Sequence, residues 1–125
     1  MNGHFLIIDD SATQRHLLSS LLQQVGHTVD FCESSAGALD KIVSNHYAAV
    51  FLDIVLPDQD GYRFLREMRS DSKSADQYVI LCSTKSTKLE IDYGLKRAKA
   101  NDYLTKPFTR ESLSAVLEKL PQQVL

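Results

Sequence analysis

Short apolar segments alternate with helix-like patterns along this chain, and this alternation limits the fold more than any other feature. The apolar segments are FLIID (5–9), TVDFC (28–32), AAVFLD (48–53), YVILCS (78–83) and one within NDYLTKP (101–107). Unbroken apolar runs are typical of strands buried on both faces of a parallel sheet. Because parallel strands need crossover connections, we expect a doubly wound α/β sandwich of three layers with five strand–helix units.

The segments between these strands show helical spacing. Gly26 is expected to end the first helix, and Thr109 is the expected N-cap of the last. The second helix is predicted over residues 35–44 and a weaker fourth helix over residues 86–97. The apolar faces of the other three helices are Leu17, Leu18, Leu21, Leu22 and Val25; Phe64, Leu65 and Met68; and Leu113, Val116, Leu117 and Leu120.

Length and composition indicate one domain over residues 1–125, with a short tail at 121–125. We expect no separate DNA-binding or enzymatic domain beside it, and the net charge of −2 argues against direct nucleic-acid binding. A signal peptide and a long apolar run are both missing, so we expect no membrane insertion and a cytoplasmic location. Cys32 and Cys82 lie in apolar segments and are expected to be buried thiols.

Polar residues stand where the predicted strands end. Asp9 and Asp10 follow the first strand, Asp53 ends the third, Ser83 ends the fourth, and the fifth leads to Lys106. In doubly wound sheets the functional site lies outside these carboxyl ends. Three carboxylates at one edge repel one another unless a cation intervenes, and a hard divalent ion such as Mg²⁺ suits oxygen ligands. The simpler alternative is that Asp9 or Asp10 only caps the first helix.

The combination of carboxylates, a hydroxyl and a lysine is typical of phosphoryl transfer. An aspartate is a competent nucleophile that forms an aspartyl phosphate. A metal ion and an ammonium group offset the charge on the phosphoryl oxygens in the transition state. Taken singly, Ser83 and Lys106 would be an ordinary strand-end hydroxyl and a surface lysine, so the combination carries the prediction.

Four motifs in order resemble the CheY-like receiver domain of response regulators: IIDDS (7–11), FLDIVLPDQDG (51–61), VILCST (79–84) and DYLTKPF (102–108). The resemblance covers essentially the whole chain. It implies a flavodoxin-like sandwich with a parallel sheet of order 2-1-3-4-5. It also implies that a histidine kinase or histidine phosphotransfer protein donates a phosphoryl group to Asp53.

The resemblance assigns roles to the other strand-end residues. Mg²⁺, or Mn²⁺ in its place, would be held by Asp9, Asp10, Asp53 and the backbone carbonyl of Val55. Lys106 would contact the phosphoryl group, and Lys106–Pro107 would be a cis peptide. Ser83 occupies the position of the switch hydroxyl, where threonine is commoner.

Tyr103 matches the switch aromatic of receivers, three residues before the lysine. The implied mechanism is that the phosphoryl group draws Ser83 inward and Tyr103 follows, which biases two existing packings. An output protein would then bind the face formed by helix 4, strand 5 and helix 5. The alternative for Tyr103 is a half-buried strand tyrosine with no switching role.

Three positions and one spacing depart from the usual receiver pattern or modify its chemistry. Lys99 stands where a glycine is usual, and the spacing from Ser83 to Lys106 is about one residue longer than is common. Val55 cannot hydrogen-bond an attacking water, whereas Lys85 could reach over the phosphoryl group. We therefore expect slow self-dephosphorylation, with Val55 and Lys85 as modulating residues.

Three rival functions share parts of this residue pattern. A haloacid-dehalogenase-like Mg²⁺-dependent phosphatase needs a second aspartate two residues after the nucleophile, where this chain has Val55. An FMN-binding flavodoxin needs a phosphate loop rich in glycine and hydroxyl groups, whereas DDSATQ (9–14) would repel phosphate. A receiver-fold interaction module acting without phosphorylation remains an alternative. We expect a phosphoacceptor domain rather than a turnover enzyme.

Overall fold

The computed structural model describes residues 3–121, so residues 122–125 of the predicted tail lie outside the described part. Strands and helices alternate along the chain as the sequence predicts. The strands are β1 His4–Ile8, β2 Thr28–Cys32, β3 Ala49–Asp53, β4 Val79–Ser83 and β5 Asp102–Thr105. The helices are α1 Ala12–Gln24, α2 Ala38–Ser44, α3 Gly61–Ser70, α4 Lys88–Asp92 and α5 Arg110–Glu118, and α4 continues as a π-helical turn, Tyr93–Arg97.

All five strands pair in parallel in the order β2-β1-β3-β4-β5, which confirms the predicted topology. The register aligns Ile8 with Leu52 on β3, and Asp53 with Cys82 on β4. Because these neighbours end at similar heights, the residues that follow them meet at one edge of the sheet.

Two apolar layers cover the sheet because successive strand residues point to opposite faces. On β1, Leu6 and Ile8 pack into the layer under α2, α3 and α4, whereas Phe5 and Ile7 pack under α1 and α5. Every residue of β3 and β4 is buried, as expected for the two central strands. Both cysteines are buried and free, which confirms that prediction.

Helix α1 begins at a hydroxyl cap rather than at the preceding carboxylates. The side chain of Ser11 accepts a hydrogen bond from the backbone N–H of Gln14, and Gly26 follows the helix with a φ of 92°. Asp9 and Asp10 therefore do not cap this helix. Thr109 is the N-cap of α5 within a full capping box, as predicted.

The additional residue between Ser83 and Lys106 coincides with a π-helical turn at the end of α4. The N–H of Ala98 donates to the carbonyl of Tyr93, five residues back, and a π turn accommodates one residue more than an α turn. Lys99 then adopts a left-handed conformation with a φ of 65°, the conformation that glycine adopts without cost. Within residues 3–121, no helix is both long and apolar enough to cross a membrane.

Candidate functional site

Three carboxylates converge where β1 and β3 end. Asp9, Asp10 and Asp53 can each offer one carboxylate oxygen such that these atoms all lie within 4.8 Å of one another. Asp9 and Asp53 are buried, at 4% and 8% exposure, whereas Asp10 is exposed. The structure therefore brings these three carboxylates together, as predicted.

Lys106 brings a positive charge to the same cluster from the loop after β5. Its Nζ donates to Asp9 Oδ2 at 3.0 Å and to Asp53 Oδ2 at 3.2 Å, and only 10% of its side chain is exposed. Its backbone N–H donates to the carbonyl of Ser83 at 2.8 Å, and the Lys106–Pro107 bond is cis. The lysine is thus held by both backbone and side chain at the end of the sheet.

Burial and charge act against each other on the phosphoacceptor candidate. Burial raises the pKa of the Asp53 carboxyl, although the charge of Lys106 and a hydrogen bond from the Val55 backbone oppose that shift. Burial alone would lower the pKa of Lys106, but the hydrogen bond to Asp9 and the nearby charge of Asp53 raise it. The ammonium group therefore stays protonated beside the two carboxylates.

The loop after β3 turns tightly around Asp53. The backbone N–H of Val55 donates to Asp53 Oδ1 at 3.1 Å, and Gly61 N–H donates to the carbonyl of Ile54 at 2.7 Å. A Cβ on Gly61 would lie 2.4 Å from the carbonyl oxygen of Asp53, so only glycine allows this approach. The Val55 side chain points outward with 70% of its surface exposed.

Ser83 and Tyr103 are joined through the peptide groups of Lys85. The N–H of Lys85 donates to Ser83 Oγ at 3.1 Å, and its carbonyl accepts from the Tyr103 hydroxyl at 2.9 Å. Tyr103 is buried at 8% exposure, and burial raises its pKa against the opposing effect of the Ser83 hydroxyl. The Lys85 ammonium lies 3.9 Å from the carboxylate of Glu90, so the backbone of Lys85 makes the contacts toward the site.

Arg15 is a part of this region that sequence reasoning missed. Its Nη1 donates to the backbone carbonyl of Asp9 at 2.9 Å, and its guanidinium lies 4.9 Å from the ring centroid of Phe31. Its Nη2 is 3.6 Å from Glu33. Arg15 is the only lysine or arginine before Lys41, which is the sequence signal that could have identified it.

A second missed contact links the loop after β2 to the loop after β3. Ser35 is buried, and its hydroxyl donates to Asp58 while its N–H donates to the other carboxylate oxygen of Asp58 at 3.1 Å. The side-chain amide of Gln59 donates to the same hydroxyl at 2.6 Å. These bonds fix the loop that begins at Asp53, and no spacing in the sequence indicates them.

The donor set suits a divalent cation. Three carboxylates and one ammonium group leave two formal negative charges at the cluster, and oxygen ligands are those that Mg²⁺ and Mn²⁺ prefer. Cys82 lies beside Asp53 in the sheet, but it is buried and burial raises its pKa, so it stays a neutral core residue. The residues present therefore fit a hard metal ion.

Comparison with known proteins identifies the family of this chain. The family model described as "Response regulator receiver domain" matches residues 5–118. Protein PilH of Pseudomonas aeruginosa is 33% identical over 111 residues, covering 89% of this chain and 91% of PilH. A chemotaxis protein CheY homolog of Campylobacter jejuni is 33% identical over 116 residues, covering 90% and 88%. Hybrid signal transduction histidine kinase L of Dictyostelium discoideum is 34% identical over 94% of this chain, which spans only 7% of that kinase.

Solved structures agree with these relatives. Vibrio cholerae chemotaxis protein CheY4 superimposes with a TM-score of 0.85 at 25% identity, covering 97% of this chain and all of CheY4. The receiver domain of sensor histidine kinase PA1611 from Pseudomonas aeruginosa gives 0.84 at 25% identity, covering 96% and 98%, and that structure contains a magnesium ion in its active-site cleft. This chain belongs to the response regulator receiver domain family of two-component signalling.

Proposed function

We propose that the chain accepts a phosphoryl group on Asp53 from a histidine kinase or a histidine phosphotransfer protein. The observation that carries this proposal is the contact of Lys106 with both Asp9 and Asp53 inside a cluster of three carboxylates. A buried carboxylate beside a fixed ammonium group has the positioning and charge that phosphoryl transfer requires. The similarity to a hybrid histidine kinase supports a donor of that chemical class.

In the proposed reaction a carboxylate oxygen of Asp53 attacks the phosphorus of a phosphohistidine. The new O–P bond forms while the P–N bond breaks, and the released imidazole nitrogen takes a proton from water. Lys106 balances negative charge on the phosphoryl oxygens, and the Ser83 hydroxyl donates a hydrogen bond to one of them. Asp9, Asp10, Asp53 and the carbonyl of Val55 would hold Mg²⁺ or Mn²⁺, which supplies further positive charge at those oxygens.

Signal output is proposed to depend on the connection from Ser83 to Tyr103. Both side chains contact the peptide groups of Lys85, so a displacement of Ser83 toward a phosphoryl group changes the geometry around Tyr103. A phosphoryl group would shift the populations of two packings in this way. The alternative is a purely structural tyrosine, with which the burial of Tyr103 also agrees.

The output partner is proposed to bind the face formed by α4, β5 and α5. Leu89 on α4 is 81% exposed and Tyr93 at the start of the π-helical turn is 44% exposed, which leaves apolar surface for a partner. The exposed basic residues in and around α4 and the π-helical turn are Lys85, Lys88, Lys96, Arg97 and Lys99. An acidic partner surface with apolar anchors would complement this composition.

The protein is proposed to act in the cytoplasm as a phosphoacceptor rather than as a turnover enzyme. Two free, buried cysteines without a disulfide agree with a reducing compartment. Its own chemistry would be limited to taking a phosphoryl group from a donor and losing it slowly to water. The rival function is a receiver-fold interaction module that works without phosphorylation.

Intact-mass measurement after incubation with acetyl phosphate and Mg²⁺ tests the proposal. We expect one added phosphoryl group on the wild type, none on Asp53→Asn, and a strong reduction when a chelator removes the metal. Asp60→Asn is a matched control because Asp60 lies in the same loop but is exposed and caps α3. A wild type that gains no mass would favour the interaction module.

A further inference from the structure

The π-helical turn after α4 lies directly against the ring of Tyr103. Gly94, the second residue of this turn, is buried, and its carbonyl accepts from the N–H of Ala100 at 3.0 Å. The bond from Ala98 N–H to Tyr93, also 3.0 Å, closes the wide turn around Gly94. The backbone at Gly94 is thus held between two hydrogen bonds and has little freedom to move away from the sheet.

No side chain can be added at Gly94 without displacing a neighbour. A Cβ built there lies 2.9 Å from Leu81 Cδ1, and 3.2 and 3.3 Å from Cδ2 and Cε2 of Tyr103. These separations are shorter than carbon atoms normally adopt, which is about 3.5–4.0 Å. Leu81 is fully buried in β4, whereas Tyr103 is 8% exposed, so of the two neighbours the ring of Tyr103 lies nearer the protein surface.

We propose that Gly94 is the positioning residue for Tyr103, because the missing side chain in this π turn leaves the space that the buried ring occupies. With the ring in that space, the Tyr103 hydroxyl donates to the carbonyl of Lys85, and the N–H of Lys85 donates to Ser83 Oγ. Gly94 therefore acts on the Ser83 side of the site through Tyr103. This second step rests on the function proposed above, whereas the position of the ring does not.

The test compares Gly94→Ala with wild type by NMR of protein carrying ¹³C-labelled tyrosine, with no phosphodonor present. Tyr103→Phe identifies the Tyr103 signal, and the pH dependence of that signal gives its phenol pKa. In the wild type this pKa is raised, mainly by burial. We expect Gly94→Ala to return it toward the ordinary tyrosine value, while Lys96→Ala, an exposed position in the same turn, leaves it unchanged. A raised pKa that persists in folded Gly94→Ala would overturn the proposal.

A second set of variants covers the case in which Gly94→Ala is too unstable to titrate. Leu81→Val removes the closer contact in every variant, so that the Tyr103 contact remains as the variable. In this background Gly94→Ala should cost far less stability when combined with Tyr103→Ala than when Tyr103 is present. If Gly94→Ala costs the same stability with Tyr103 as with Tyr103→Ala, the glycine serves only the helix, and the proposal is overturned.

Phosphorylation kinetics test the functional step separately. If the buried ring supports the arrangement of Ser83, Gly94→Ala should slow phosphorylation of Asp53 by acetyl phosphate by about threefold or more. Fewer molecules would then be in the conformation that accepts a phosphoryl group. An unchanged rate with a displaced ring would overturn this step. No phosphorylation of wild type would count against the proposed function instead, and the tyrosine titration would still decide the role of Gly94.

Discussion

The ammonium group of Lys106 lies 3.2 Å from Asp53 Oδ2, which joins the loop after β5 to the end of β3. The same group contacts Asp9 at 3.0 Å, so one cation offsets two buried carboxylates. Removing it would leave those carboxylates facing each other without compensation, and an unpaired buried charge is costly. The lysine is therefore expected to contribute to stability as well as to phosphoryl transfer.

Lys106→Met should lower the free energy of unfolding by about 2–3 kcal/mol in metal-free buffer, because it breaks a buried charge pair. Added Mg²⁺ should recover part of this loss by binding the folded carboxylates. Urea unfolding with and without Mg²⁺ measures both effects. Lys119→Met is the matched control, since Lys119 is 3.6 Å from Asp102 but 65% exposed. Equal stability of Lys106→Met and wild type would contradict the expectation.

Gly61→Ala should cost about 3 kcal/mol or more, because its Cβ would meet the Asp53 carbonyl oxygen at 2.4 Å and Ile54 Cα at 2.7 Å. Both contacts are with backbone, which cannot move without shifting the phosphoacceptor candidate. Phosphorylation of Asp53 should decrease as well. Urea unfolding measures the loss of stability, and intact mass measures the loss of phosphorylation.

Gly37→Ala provides the comparison for this prediction. Gly37 has a φ of 76° with no atom within 4 Å of a built Cβ, so only backbone strain of about 1 kcal/mol is expected there. A smaller loss of stability for Gly61→Ala than for Gly37→Ala would show that the loop after β3 can move to accommodate a side chain, which would contradict the prediction.

Sequence patterns predicted the sheet and its functional edge because both follow from general rules. Unbroken apolar strands indicated parallel pairing, and parallel strands bring the residues after their ends together, as observed for Asp9 and Asp53. The contacts of Arg15 and Ser35 could not be predicted in the same way. They join residues whose separation in sequence shows no periodicity, so only the packed loops reveal them.

The boundaries of helices differ from those expected from the sequence where tertiary contacts determine the local conformation. The second helix begins at Ala38 rather than near residue 35, because Gly37 is left-handed and Ser35 bonds to Asp58. The extra residue before Lys106 was visible in the spacing, but its accommodation as a π turn was not. The left-handed conformation of Lys99 likewise could not be predicted from the sequence, although a glycine is usual at this position.

Lys99→Gly should raise the free energy of unfolding by about 1 kcal/mol, because glycine adopts a φ of 65° without the strain that a side chain imposes. The Lys99 side chain is exposed, and its carbonyl would still accept from Arg69 Nε, a bond of 3.1 Å. Lys96→Gly should instead lower stability by about 1 kcal/mol, since it weakens a helical position. Urea unfolding of the two variants would contradict this account if Lys99→Gly were the less stable.

Val55→Asn should accelerate self-dephosphorylation of the phosphorylated protein. The Val55 side chain is 70% exposed at the loop that begins with Asp53, and it has no group that can orient water. An asparagine there could donate or accept one hydrogen bond to an attacking water, which corresponds to about a fivefold faster rate for a bond of about 1 kcal/mol. Loss of phosphoryl mass over time, after removal of the donor, measures the rate. Val25→Asn, which changes another exposed valine at the C-cap of α1, should leave the rate unchanged. A rate for Val55→Asn equal to or below that of wild type would sink the idea that this position limits access of water to the phosphoryl group.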